Sequence, residues 1–176
     1  MSAKYNHKHR IPAAILTIIL AAFTAPAMAA DWNNSYIGIK FGYGELENGL
    51  SHDNGLIGFQ LGRDWEASNW VGGIAIDANH LNFACDCGDP DTLTRIRLRG
   101  GYAFGNTLAY VTAGPAYVWG GDVNDRWGSS IGAGLEHRLS DGVSIFGEIT
   151  QERFDNSDGE FDLESTTATF GVNYRF

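Results

Sequence analysis

Apolar and polar residues alternate through the last eleven residues of the sequence, 166–176, and the series ends on an aromatic residue. Counted back from Phe176, every second residue is apolar: Tyr174, Val172, Phe170 and Ala168. Because the side chains of a strand point alternately to its two faces, this period of two predicts a strand with one apolar face and one polar or small face. Since the sequence stops there, we expect this strand to pair with the rest of a sheet at the very end of the chain.

The N-terminal segment has the three parts of a secretory signal peptide. Basic residues precede an apolar stretch at 11–23, and a small-x-small cleavage pattern follows at 27–29. The stretch is too short for a spanning helix, and no later apolar run approaches the ~18 residues that one needs. We therefore expect residues 1–30 to be removed, after residue 29 or 30, and residues 31–176 to form one exported domain. Cleavage takes the net charge from −9 to −12, because three basic residues are lost.

Alternation recurs in seven further segments of the exported domain. The predicted strands are Ser35–Gly44, Leu56–Trp65, Trp70–Asn79, Leu93–Phe104, Leu108–Trp119, Gly128–Leu139, Val143–Phe154 and the C-terminal strand. In the fifth strand neither face is strongly polar, and we assign Val111, Ala113, Pro115, Tyr117 and Trp119 to the apolar face. Segments of about ten residues match the tilted span of a bilayer core.

The connections between these segments alternate between short and long, and aromatic residues gather at the strand ends. Outer-membrane barrels have short periplasmic turns, long extracellular loops and aromatic girdles at both interfaces. The sequence therefore predicts an all-β fold: a closed, eight-stranded antiparallel transmembrane barrel. A soluble sandwich or lipocalin-type barrel also alternates, but it would explain neither the alternating loop lengths nor the glycines that share a face with Glu136 and Glu148.

Several short motifs in a fixed order resemble the small porin-like outer-membrane β-barrel family of Gram-negative bacteria, which includes OmpA-like barrels and surface antigens. The motifs are Asp31-Trp32, Tyr36-Ile37-Gly38, Gln60–Trp65, Asn69-Trp70-Val71, Arg97–Ala103, Leu108-Ala109-Tyr110, Gly132–Glu136, Glu148 and Gly171–Phe176. The resemblance implies a surface-exposed barrel that the outer-membrane assembly machinery inserts, with Phe176 ending a recognition signal that includes Phe170, Val172 and Tyr174. It implies no single activity, because one fold hosts several functions.

Charged residues are concentrated on the polar face of the predicted strands. The set is Lys40, Arg95, Arg97, Arg99, Arg138 and Arg175 against Asp64, Asp77, Glu136, Glu148 and Glu152. Eight strands enclose a space that side chains just fill, so we expect ion pairs there, with Arg97 and Arg99 meeting Glu136 and Glu148 across the lumen. Arg95 and Asp77 belong to the same predicted cluster. The alternative is that these residues merely fill a wet interior.

The predicted long loops are strongly acidic. They contain Glu45, Glu47, Asp53, Asp86, Asp89, Asp91, Asp122, Asp125, Asp155, Asp158, Glu160, Asp162 and Glu164, against Arg126. Such a surface could attract cations or basic host or cell-surface proteins, and it disfavours nucleic acid. It could equally serve only to keep the loops solvated among lipopolysaccharide and other outer-membrane lipids. The segment 155–160 only partly fits a calcium loop, because its glycine comes one position early and the distal Glu is missing.

Cys85 and Cys87 lie in the second long loop. In an oxidising envelope we expect a small disulfide between them rather than a metal site with His80, although closure across one residue is strained. No nucleophile, base and orienting group can be assembled around His52, His80 or His137, so we expect no enzyme, no cofactor and no metal site. The sequence favours a monomeric structural and surface-interaction barrel, with a narrow pore as the alternative and a lipid-modifying enzyme as the weakest.

Overall fold

The computed structural model describes residues 31–46, 54–82, 91–119, 126–154 and 163–176. They form eight strands: β1 (Ser35–Leu46), β2 (Asn54–Ala67), β3 (Trp70–Asn82), β4 (Asp91–Phe104), β5 (Thr107–Trp119), β6 (Arg126–Arg138), β7 (Val143–Phe154) and β8 (Leu163–Arg175). Each strand pairs antiparallel with its neighbour in the chain, and β1 also pairs with β8. The predicted closed, all-β barrel is confirmed. No helix within these ranges is long and apolar enough to cross a membrane.

The two ends of the described chain meet where the barrel closes. The main-chain N–H of Phe176 donates to the Ser35 carbonyl at 2.9 Å, and the Ser35 N–H donates back to the Phe176 carbonyl at 3.1 Å. From there β1 and β8 stay in register from Tyr36↔Arg175 to Leu46↔Ser165. The C-terminal strand thus removes the last free edge of the sheet.

The two faces of the sheet have opposite polarity. Most isoleucine, leucine, valine and aromatic side chains of the strands point outward and are exposed, whereas most charged and amide side chains of the strands point inward and are buried. The assignment of β5 holds: Val111, Ala113 and Pro115 face outward, and Ala116 and Val118 face inward. A soluble barrel would have the reverse arrangement, because its apolar face must form the core.

Most strands extend further than the sequence pattern predicted. Five residues that were expected in loops lie in strands: Glu45 in β1, His80 in β3, Asp91 in β4, Arg126 in β6 and Glu164 in β8. Ladder hydrogen bonds join main-chain groups, so a strand can continue past the point at which its side chains stop alternating. The connections at this end are correspondingly shorter than expected: 47–53, 83–90, 120–125 and 155–162.

The connections at the opposite end of the barrel are tight turns. Ala67 pairs with Trp70 across one turn, and Phe104 pairs with Thr107 across the next. Ser68 and Gly105 occupy the same position in these turns, with φ of 62° and 60°. Positive φ favours glycine, so Ser68 carries backbone strain that Gly105 avoids.

Outward aromatic side chains form the two predicted girdles. At the turn end, Trp70 packs edge-on against Tyr102 with ring centroids 5.2 Å apart, and Tyr174 stacks on Phe176 at 6.2 Å. At the loop end, the rings of Tyr117 and Trp127 lie 4.8 Å apart. Amphipathic rings are most stable at the level of the lipid headgroups, so these contacts mark the two membrane interfaces.

Candidate functional site

The lumen contains a buried cluster of ionised side chains. All eleven inward charged residues identified in the sequence are buried: Lys40, Asp64, Asp77, Arg95, Arg97, Arg99, Glu136, Arg138, Glu148, Glu152 and Arg175. Ten of them form salt bridges with one another. They fall into two groups at different heights, which we call the upper cluster, near the loops, and the lower cluster, near the turns.

The upper cluster is organised around Asp77 on β3. Its carboxylate lies 2.9 Å from the ammonium of Lys40, 2.9 Å from Nε of Arg95 and 2.7 Å from Nε of Arg97. The same two arginines cross the lumen to β7: Arg97 pairs with Glu148, and Arg95 pairs with Glu152 at 2.6 Å. Three cations therefore meet three carboxylates, and the cluster is neutral as a whole.

The lower cluster has four charged members on four strands. Asp64 accepts from Arg99 at 3.1 Å and from Arg175 at 2.9 Å. Glu136 pairs with the same two arginines, at 2.6 Å and 2.8 Å, and also accepts from Ser144. Two cations and two carboxylates again give neutrality. A buried charge without a partner is costly, so balance within each cluster is what allows so many ions in so small a space.

Two amide side chains join the clusters. Nη2 of Arg97 donates to the Gln60 carbonyl oxygen at 3.2 Å, and the Gln60 amide donates to Asn173 at 2.7 Å. Asn173 in turn donates to Glu136 at 3.0 Å. A continuous chain of polar contacts therefore runs through the lumen from the upper to the lower cluster. Gln60 and Asn173 were not among the sequence candidates, although they lie on the same inward face as the residues that were.

Aromatic rings pack against the cations of the lower cluster. The Arg99 guanidinium lies 3.8 Å from the centre of the Tyr110 ring, and Arg175 lies 4.8 Å from that of Tyr36. Both rings sit directly over glycines, Gly134 beneath Tyr110 and Gly62 beneath Tyr36, where any Cβ would collide with the ring. The inward glycines thus make room for the large side chains of the cluster.

Apolar clusters flank the ionised region at both ends. The cluster at the turn end consists of Trp32, Val71, Ala103, Leu108 and Tyr110. The cluster at the loop end consists of Leu93, Ala116, Val118 and Phe154. Trp32 precedes β1 and is fully buried, with its main-chain N–H donating to Glu66 at 2.9 Å. The lumen is therefore filled by side chains along its length, with apolar groups above and below the ions.

Arg138 differs from the other lumen cations because it pairs with main-chain oxygens. Its guanidinium donates to the carbonyls of Asp31 and Asp141 and lies over the Trp32 ring at 5.7 Å. It thereby ties the segment before β1 to the turn between β6 and β7. The alternation of the sequence placed Arg138 on the lumen face. The burial of Trp32 beneath the Arg138 guanidinium could not be predicted, because Trp32 lies outside any alternating segment.

The remaining candidates lie elsewhere. Cys85, Cys87, His52 and the segment 155–160 are outside the described residues, so the disulfide stays a prediction. His137 faces outward near the turns, where its Nδ1 lies 2.8 Å from the Thr107 hydroxyl. Within the described ranges, no three His, Cys, Asp or Glu side chains are arranged to hold a metal ion.

Comparison with known proteins gives a consistent result. Residues 15–176 match the family described as the outer membrane protein β-barrel domain. The solved structure of Ail, the attachment invasion locus protein of Yersinia pestis, superposes with a TM-score of 0.60 at 16% identity, covering 82% of this chain and 99% of that one. The N-terminal barrel of Pseudomonas aeruginosa OprF gives 0.58 at 18%, covering 82% and 98%. Neisserial surface protein A gives 0.56 at 12%, covering 81% and 97%. Among curated proteins no match was found.

Proposed function

Because this chain belongs to the outer-membrane protein β-barrel family and lies in the Gram-negative outer membrane, we propose that it is a closed structural barrel that holds acidic loops at the cell surface. The observation that carries this proposal is the filled lumen. Two neutral clusters of paired ions occupy it, and apolar side chains flank them at both ends. An eight-stranded barrel has little interior to spare, so a lumen filled in this way leaves no room for a wide aqueous path.

The surface role rests on the charge of the loops. The segment 155–162 contains four acidic residues and no basic one. Acidic surfaces attract cations and basic proteins and repel other polyanions. The structure of Ail from Yersinia pestis with the heparin analogue sucrose octasulfate concerns an anionic ligand, whereas the charge of these loops favours a basic one. We also propose that the outer-membrane assembly machinery inserts the chain, that the chain is a monomer and that it catalyses no reaction.

Binding of a cationic probe to intact cells tests the surface role. Cells that express the chain should bind fluorescent poly-lysine more strongly than cells that express a variant in which the four acids of 155–162 are replaced by amides. Equal binding at equal surface abundance would count against the acidic loops as an interaction surface. A matched variant with Asp141→Asn, in the turn at the periplasmic end, should behave like the unchanged chain.

A narrow, gated conductance is the second candidate, and one observation favours it. Nη2 of Arg95 and Nη1 of Arg175 are buried donors without a hydrogen-bond partner among the described residues. Spare donors beside shared carboxylates would let the ion pairs exchange partners, which a transient path through the lumen requires. Single-channel recording separates this candidate from the closed barrel.

A further inference from the structure

The outward face of the barrel carries a group of polar side chains near the loop end of β6, β7 and β8. Ser129, Gln151 and Thr166 are exposed there beside Arg153 and Glu164. Elsewhere at this end the outward side chains include the girdle residues Tyr43, Tyr117, Trp119 and Trp127. The aromatic girdle is thus interrupted by a patch of hydroxyl, amide and charged groups, which we call the rim patch.

The height of the rim patch follows from strand geometry. Arg153 lies ten residues beyond Val143, the first residue of β7 at the turn end. At about 3.3 Å per residue and a tilt of about 40°, this separation is about 25 Å along the membrane normal, which is the height of the apolar band of an outer-membrane barrel. Arg153 therefore lies at the level of the outer-leaflet headgroups. Gln151, two residues earlier on the same face of β7, lies deeper in the membrane.

The guanidinium of Arg153 is paired through Nε, and its side chain is largely exposed. Its Nε lies 2.9 Å from the Glu164 carboxylate, and the side chain is 64% exposed. The two terminal nitrogens of the guanidinium form a planar fork, and such a fork matches the oxygens of a phosphate. Ser129 lies directly opposite Arg153 in the β6–β7 register, and both residues line a recess of about 350 Å³ together with Gln151.

We propose that the rim patch binds a phosphate of lipid A, the membrane anchor of outer-leaflet lipopolysaccharide. Arg153 supplies the charge and a bidentate contact, Ser129 and Gln151 supply neutral donors, and Glu164 fixes the orientation of the guanidinium. Ile131, exposed beside the recess and one register step deeper, contacts an acyl chain. Charge and height select this occupant: the Arg153 guanidinium is paired with Glu164 through Nε, and its terminal nitrogens form a cationic fork at headgroup height, where the outer leaflet presents phosphates. The proposal does not depend on whether the lumen conducts.

Native mass spectrometry on the protein extracted from outer membranes and freed of lipid tests the site. The probes are phosphorylated lipid A, dephosphorylated lipid A and phosphatidylglycerol. Arg153→Gln should weaken binding of phosphorylated lipid A about tenfold or more, the size expected when a charge-assisted contact is lost. Arg153→Lys should lie between the two, because it keeps the charge without the fork. The matched control is Arg63→Gln, which removes an outward arginine at the opposite end of the barrel, where it bonds to Ser35.

Each outcome of these binding measurements either supports or overturns the proposed site. Loss of binding in Arg153→Gln with unchanged binding in Arg63→Gln supports the site, provided that heat-modifiable gel mobility shows both variants folded. Equal binding by the unchanged chain and Arg153→Gln overturns it, as does an equal loss in Arg63→Gln. Dephosphorylated lipid A that binds as tightly as the phosphorylated form also overturns it. If phosphatidylglycerol binds as tightly as lipid A, the assignment to lipopolysaccharide is wrong.

Discussion

The guanidinium of Arg95 on β4 reaches across the lumen to the Glu152 carboxylate on β7, with Nη1 and Oε1 2.6 Å apart. These strands are not neighbours in the barrel, so the contact ties opposite walls together. Both side chains are fully buried. The pair therefore joins two walls of the barrel, and it stabilises the fold only when both partners are present.

Removing both partners should cost less than the sum of the two single removals. Arg95→Met alone leaves Glu152 without its cation, and Glu152→Met alone leaves Lys40, Arg95 and Arg97 with two carboxylates instead of three. Each single variant should lower the free energy of unfolding by about 3–5 kcal/mol, whereas the double variant, which keeps the cluster neutral, should lose clearly less than the sum. Urea unfolding in lipid vesicles, followed by tryptophan fluorescence, measures all three. Strictly additive losses would show that the two residues do not interact.

Asp77 should be more sensitive to neutralisation than an exposed carboxylate. Asp77→Asn leaves Lys40, Arg95 and Arg97 with two carboxylates instead of three and should cost about 3–5 kcal/mol of unfolding free energy. Glu164→Gln is the control, since it removes an exposed pair with Arg153 and should cost under about 1 kcal/mol. Similar losses in the two variants, measured by the same urea titration, would mean that the upper cluster is solvated rather than buried.

The turn residues offer a reciprocal test of backbone strain. Ser68→Gly should raise the unfolding free energy by roughly 1 kcal/mol, because Ser68 holds a φ of 62° that suits glycine. Gly105→Ser should lower it by a similar amount, since Gly105 has nearly the same φ. Changes of the same sign in both variants would contradict this explanation.

The C-terminal aromatic should matter more in cells than in refolding experiments. Phe176 closes the barrel through its main chain, which Phe176→Ala keeps, while its exposed ring is lost. We expect near-normal refolding into vesicles but a severalfold lower amount in the outer membrane, if Phe176 ends the signal read by the assembly machinery. Phe104→Ala, another exposed aromatic at the same end, should leave the amount nearly unchanged. Equal amounts of all three proteins would remove Phe176 from that role.

The sequence was sufficient to predict which way each strand faces, because a lipid-facing surface must be apolar and strand periodicity is two. Even β5, with two mild faces, was assigned correctly on this basis. The partners of each ion were harder to predict, since alternation gives the side of a residue but not its height in the barrel. The sharing of Asp77 by three cations depends on how β1, β3 and β4 are staggered. The burial of Trp32 was not predicted, because this residue precedes the alternating pattern.

Single-channel current from the refolded 31–176 chain in a lipid bilayer tests the closed lumen most directly. Protein shown to be folded by heat-modifiable gel mobility should give a silent membrane, because paired ions and apolar side chains fill the interior. Stable, ion-selective openings from that protein would contradict the closed barrel. They would mean that the Arg–Glu pairs exchange partners and that the chain is a pore.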